Sequence, residues 1–185
     1  MKVWTKGIVL IISLLMVGLL AGCGGQPSKD PNQVKVFIMG SEGFPQEMAD
    51  QIQQKLQQKL GSSLTVTVST TPVYSPEKMV LEYVDRMDDI IILPENDMKS
   101  YATSGGHLVL DQDFDAKTYA KGVTKGAVNE EDTDPAKQKE HLFAIPVNQM
   151  AVFKEIGYTK GDLYATVPIF ANHDKAVQVL KAMIE

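Results

Sequence analysis

Cysteine is almost missing from this chain of 185 residues, where Cys23 stands alone. That excludes a disulfide within the chain and a zinc site built from several thiolates. Cations are too few for a nucleic-acid partner. Eighteen Lys and Arg face 23 Asp and Glu, a formal charge of −5, whereas binding to a phosphate backbone rests on an excess of Lys and Arg. The three histidines, His107, His141 and His173, are far apart with no partner at ligand spacing, so no metal centre is expected. Asp111, Asp113 and Asp115 alternate like the opening of a calcium loop. The sixth position of that loop is Ala116 instead of Gly and the twelfth is Gly122 instead of an acid, so the motif fails.

Catalytic signatures are missing too. Ser41 follows Gly40, but Met39 breaks the G-x-S-x-G elbow. Ser104 lies near His107 without a third member, and Glu95 and Asp97 are carboxylates at no marked spacing. Neither an enzyme nor a bound cofactor is expected.

Apolar runs are short. From Gly7 to Leu20 the chain is uncharged for 14 residues, against the roughly 20 that a spanning helix needs. With Lys2 and Lys6 before it, this stretch has the proportions of a secretory leader. Leu20-Ala21-Gly22-Cys23 follows and resembles the lipobox of bacterial lipoproteins. In that family the cysteine sulfur receives a diacylglyceryl group and the leader is cut away before it. The resemblance implies that residues 1–22 are a signal peptide and that Cys23 is the lipidated N-terminus. The chemistry suits it, because a thiolate is a strong nucleophile for alkylation and two acyl chains anchor where one is marginal. Loss of Lys2 and Lys6 leaves 16 basic against 23 acidic residues, or −7. Residues 23–33 then read as the lipidated Cys and a Gly-, Pro- and Asn-bearing linker.

From Val34 the pattern turns globular. Val34–Met39 reads as a strand closed by Gly40, and Pro45 suits a first helical turn. Ala49, Ile52, Leu56 and Leu60 form a helical stripe whose intervening Gln and Lys face solvent. Leu64–Val68 alternates and is β-branched, a second strand. Ser75-Pro76 is a cap with a first-turn proline, and Met79, Val80, Tyr83, Val84 and Met87 mark one helix face behind it. Asp89–Leu93 carries four consecutive apolar residues, as in a strand buried on both faces of a parallel sheet. The βαβαβ succession implies an α/β fold with a parallel-sheet core in the order 2-1-3. A third helix over 96–103 and a short strand at His107–Leu110 follow. Residues 111–140 read as a polar excursion with one short helix near 117–128. Order returns at Leu142–Val147, at Ala151–Phe153, at Tyr164–Phe170 and in a final helix from about Asn172, giving a single domain over 34–185.

In an open parallel sheet, ligands sit beyond the carboxyl ends of the strands where the order reverses. For the order 2-1-3 that point is lined by Gly40-Ser41-Glu42-Gly43 and Pro94-Glu95-Asn96-Asp97. Ser41, Glu42, Glu95 and Asn96 are therefore the candidate ligand-binding residues, though turns and caps call for the same residue types.

The succession of Asp89-Ile90-Ile91, Gly106 to Asp111, Leu142 to Val147 and Asn172-His173-Asp174-Lys175-Ala176 resembles the extracellular solute-binding proteins of ABC importers. Those proteins close a ligand between two lobes in about twice this length, so the resemblance implies a single lobe here. The only tryptophan, Trp4, leaves with the leader, which weakens the aromatic stacking that the family uses. The combined expectation is a non-enzymatic, solute-binding-like lipoprotein, anchored through Cys23 to the extracytoplasmic face of the cell membrane. Its partner is a small solute or, alternatively, another envelope protein or a second copy that supplies the missing lobe.

Overall fold

The computed structural model describes residues 30–129 and 134–185. Cys23 and the segment Leu20-Ala21-Gly22 lie outside the described residues. The first half of the body contains β1 (Gln33–Ile38), α1 (Gln46–Leu60), β2 (Thr65–Thr70), α2 (Pro76–Asp85), β3 (Ile90–Pro94) and α3 (Glu95–Thr103). The second half contains β4 (Val123–Gly126), β5 (Lys139–Leu142), β6 (Ala144–Pro146), α4 (Ala151–Glu155), β7 (Leu163–Thr166) and α5 (His173–Ile184).

Five strands form one sheet in the order β2-β1-β3-β7-β6. β1 pairs in parallel with both β2 and β3, the 2-1-3 core that the βαβαβ pattern implies. The sheet as a whole is mixed. β7 runs antiparallel to β3, with Ile91 opposite Thr166 and Pro94 opposite Leu163, and β6 runs antiparallel to β7.

β3 shows why a continuous apolar run was needed. Ile90 and Ile92 face the larger core with β1 residues Val34, Val36 and Ile38, under Ile52 and Leu56 of α1, Phe153 of α4 and Leu180 of α5. Ile91 and Leu93 face the other side with Phe37 and Met39, under Met79 of α2 and Met98 of α3. The alternation of Cβ directions along a strand produces both sets. Helices are capped where the residues allow it. The Ser75 hydroxyl accepts the Lys78 N–H at 3.1 Å, and Asn172 accepts the Lys175 N–H at 3.1 Å.

The glutamines of α1 are not all solvated. Gln53 Oε1 accepts the Val68 N–H at 2.8 Å, and Gln57 Oε1 accepts the Val66 N–H at 3.2 Å. These side chains satisfy the outward backbone donors of β2, the sheet's edge.

Four further segments differ from the sequence reading. His107–Leu110 is not a strand, because its backbone donors go to different partners, Leu108 to Val167 and Leu110 to Leu142, and no ladder forms. The helix near 117–128 is instead a short 3-10 turn, Ala120–Gly122, running into β4, where Val123 and Thr124 pair with β5. Leu142–Val147 is split at Phe143, and its halves serve two separate sheets, β5 with β4 and β6 with β7. On α2 only Met79 is fully buried and Tyr83 is half-buried, while Val80 and Val84 stand 52% and 67% exposed.

Under α2 the inner face is aromatic. Tyr83 stacks on Tyr101 of α3 at 3.8 Å and 6°, and its hydroxyl lies 2.6 Å from His107 Nε2. Burial pushes His107 down to about 3, so the ring is neutral beside the Tyr83 hydroxyl. At the entry to β3, Lys35 N–H reaches Asp89 Oδ2 at 2.9 Å. Next to it, burial and then a hydrogen bond with Glu82 push Asp88 up to about 8. The unfolded chain ionises Asp near 4, so this group's contribution is full below about pH 4 and is lost as pH rises towards 8. Asp88→Asn is expected to be more stable than the parent at pH 8, with a smaller difference at pH 5, in urea denaturation at both values.

Candidate functional site

The chain leaves the sheet at Met39, whose N–H is held by the Ile92 carbonyl at 2.9 Å, and turns back at once. The Gly43 N–H closes the turn on the Gly40 carbonyl at 2.9 Å, and Phe44 N–H meets the Thr71 carbonyl at 3.0 Å. Gly43 has φ of +79°, and a Cβ there would lie 2.0 Å from the Pro72 carbonyl oxygen. Only glycine fits this close approach. Ser41 and Glu42 are thereby presented, exposed, at the carboxyl end of β1.

The opposite wall comes from residues 157–162, the approach to β7. Since β7 is antiparallel to β3, its entry lies at the end of the sheet where β3 leaves, with Leu163 opposite Pro94. An aromatic cluster joins the two walls. The Phe44 ring lies 5.3 Å from Tyr158 and 6.3 Å from Phe153, and Phe153 lies 6.0 Å from Tyr158. Between the walls is a cavity of about 400 Å³ lined by Ser41, Glu42, Met48, Tyr158, Lys160 and Asp162, among others.

The cleft's polar groups are arranged in pairs. The Tyr158 hydroxyl donates to Asp162 Oδ1 at 2.9 Å. Burial, and then that carboxylate, raises the phenol well above its ordinary value, so it stays a donor at neutral pH. Lys160 Nζ lies 3.3 Å from Glu42 Oε2, but the side chains are 62% and 86% exposed, so this pair is screened and contributes little to stability. Two carboxylates against one ammonium give the cleft a net negative charge, with a donor and acceptor set suited to a small polar molecule.

The other two sequence candidates sit elsewhere. Glu95 and Asn96 are exposed at the start of α3 and do not line the cleft. Glu95 pairs with Lys99 one turn on at 2.5 Å, and the neighbouring Asp97 accepts the Tyr74 hydroxyl at 3.0 Å. Tyr158, Lys160 and Asp162 were not anticipated. The signal in the sequence was a polar, Gly-flanked turn, Gly157-Tyr158-Thr159-Lys160-Gly161-Asp162, placed before an apolar run.

The aspartates of residues 111–115 diverge. Asp111 takes His141 Nδ1 at 2.6 Å and the Leu142 N–H at 2.8 Å, and Asp113 takes His173 Nε2 at 2.8 Å. Asp115 instead caps its own turn through Thr118. Among the described residues, no group of three His, Cys, Asp or Glu is arranged to hold a metal ion. A larger, more open groove of about 780 Å³ runs along α5 beside the end of α1 and shares no residue with the cleft. Its Lys59 and Lys181 alternate with Asp113, Asp174 and Glu185, which offers no single recognition chemistry.

No family model matches the chain, and no curated protein matches it. Two solved structures are similar over part of their length. An extracellular solute-binding protein of family 1 from Alicyclobacillus acidocaldarius subsp. acidocaldarius DSM 446 is 13% identical at a TM-score of 0.41, over 62% of this chain and 27% of that one. Thiaminase I from Bacillus thiaminolyticus is 16% identical at a TM-score of 0.37, over 64% of this chain and 28% of that one. The matched part is little more than a quarter of either structure. The α/β class rests on the sheet itself.

Gly43→Ala is expected to destabilise the protein by at least about 2 kcal/mol, since it adds a backbone clash to left-handed strain. Gly157→Ala, with φ of +80° and open space around the new Cβ, should cost only the strain, about 1 kcal/mol. Urea midpoints of the two variants check the contrast.

Proposed function

We propose that this chain is a non-enzymatic, solute-binding-like module, tethered by lipid on Cys23 to the extracytoplasmic face of the cell membrane. Its ligand is a small polar solute held between Ser41-Glu42 and Tyr158-Lys160-Asp162. The cleft carries this reading, because it lies at the carboxyl end of β1, beside the point where the strand order reverses, and brings polar groups from two separate loops to one opening. The carboxylates favour a solute bearing an amine or several hydroxyls, while Lys160 offers one anchor for an acidic group.

Calorimetry on the full chain in phosphatidylcholine nanodiscs, against pools of sugars, amino acids and short peptides, should give saturable heat with at least one pool. The double variant Glu42→Gln, Asp162→Asn should weaken that binding by about tenfold or more, as expected for loss of charged hydrogen-bond partners. Silence across the pools, or unchanged affinity in the variant, counts against the reading.

The tether is supported by Leu20-Ala21-Gly22-Cys23 after a 14-residue apolar run. Among the described residues no helix is long and apolar enough to cross a membrane. Cys23→Ala should abolish incorporation of labelled fatty acid and leave a longer precursor; equal labelling of the variant would refute lipidation at this position.

A further inference from the structure

Six large apolar residues stand exposed among the described residues, and five of them, Val73, Tyr74, Val80, Leu81 and Val84, lie on α2 or the loop that leads into it. Val80 and Val84 are one turn apart, and Leu81 extends the same stripe round the helix. The opposite face of α2 is committed to the core through Met79 and to the aromatic stack through Tyr83. The helix is thus apolar on two faces, of which the fold buries one. A clustered patch of this kind marks an interaction surface more than scattered exposed residues do.

The charge around the stripe selects the partner. The two cations of this region, Lys78 and Arg86 just past the helix end, are exposed but engaged by neighbours. Lys78 pairs with Glu82 and sits 5.7 Å from the Phe37 ring centroid, and Arg86 lies over the Phe170 ring at 5.0 Å. The acids beside the stripe, Glu77 and Asp85, with Asp97 at its Tyr74 end, outnumber these two cations. An anionic lipid surface would be repelled. Self-pairing is disfavoured too, because two such rims carry a net charge of the same sign. We infer that the outer face of α2 is a docking surface for a basic amphipathic helix of a partner protein, with apolar anchors on Val80, Leu81 and Val84 and Lys or Arg beside Glu77 and Asp85.

The test uses a fluorescein-labelled helical peptide with Leu at i, i+3, i+4 and i+7 and Lys elsewhere, and a second peptide with Glu in place of Lys. Each is titrated by anisotropy with the full chain in phosphatidylcholine nanodiscs, empty nanodiscs serving as the blank. The Lys peptide should bind saturably and the Glu peptide should not. The double variant Val80→Ser, Val84→Ser should weaken binding by about tenfold or more. The charge variant Glu77→Gln, Asp85→Asn, which leaves the apolar stripe intact, should weaken it several-fold and flatten its salt dependence.

Each of the following results overturns the inference. They are no saturable binding, equal binding of the Glu peptide, unchanged affinity in either double variant, and dimerisation of the parent in sedimentation that Val80→Ser, Val84→Ser abolishes. Binding of phosphatidylglycerol vesicles that is lost in the same variant reassigns the face to lipid and also overturns it. The cleft of Ser41 and Tyr158 is not touched by these changes, so solute binding should persist in all of them.

Discussion

The pairing of β3 with β7 is the constraint on which the site depends. Ile91 meets Thr166 and Pro94 meets Leu163 across this ladder, and the Thr166 hydroxyl donates to the Ile91 carbonyl at 2.8 Å in a fully buried position. An antiparallel strand at this place has two effects. It lets β3 be covered on both edges without another crossover helix, and it brings the segment before β7 to the same end of the sheet as the segment after β1. The first effect completes the core. The second builds a two-walled cleft at one end of a single sheet.

Burial is unevenly shared between the two faces of the sheet. Under α1, α4 and α5 the core is continuous and mostly aliphatic, from Val34 to Met183, with Phe44 and Phe153 among its members. Under α2 and α3 it is smaller and ends in the Tyr83–Tyr101 stack with the buried His107 ring. Polar atoms in this second layer are expensive and few. Asp88 Oδ2 and His107 Nδ1 are buried without a hydrogen-bond partner, and burial works against the charged form of each group. The two groups pull in opposite directions, since acid charges the imidazole and alkali charges the carboxyl group.

Much of the first half of the fold was legible from periodicity. The stripe Ala49, Ile52, Leu56, the β-branched run at Val66–Val68 and the doubly apolar Ile90–Leu93 each correspond to one element in contact with the core. Strand direction was not legible, because the apolar run at Leu163–Thr166 looks the same whether it is parallel or antiparallel to its neighbour. That one ambiguity removed Tyr158, Lys160 and Asp162 from view and left Glu95 and Asn96 as the second wall. In residues 111–142 a β hairpin of polar composition was masked by charge. On α2, Val80 and Val84 had helical spacing, but spacing alone does not say which face is inward.

The glutamine contacts on β2 have a consequence for assembly. With the Val66 and Val68 donors already taken by Gln57 and Gln53, that border of the sheet offers fewer backbone donors with which to template a foreign strand. The far border, β6, is three residues long and ends in Pro146, which has no N–H to give. Growth by strand addition, the usual route to sheet-mediated oligomers and fibres, is therefore disfavoured at both borders of the five-stranded sheet.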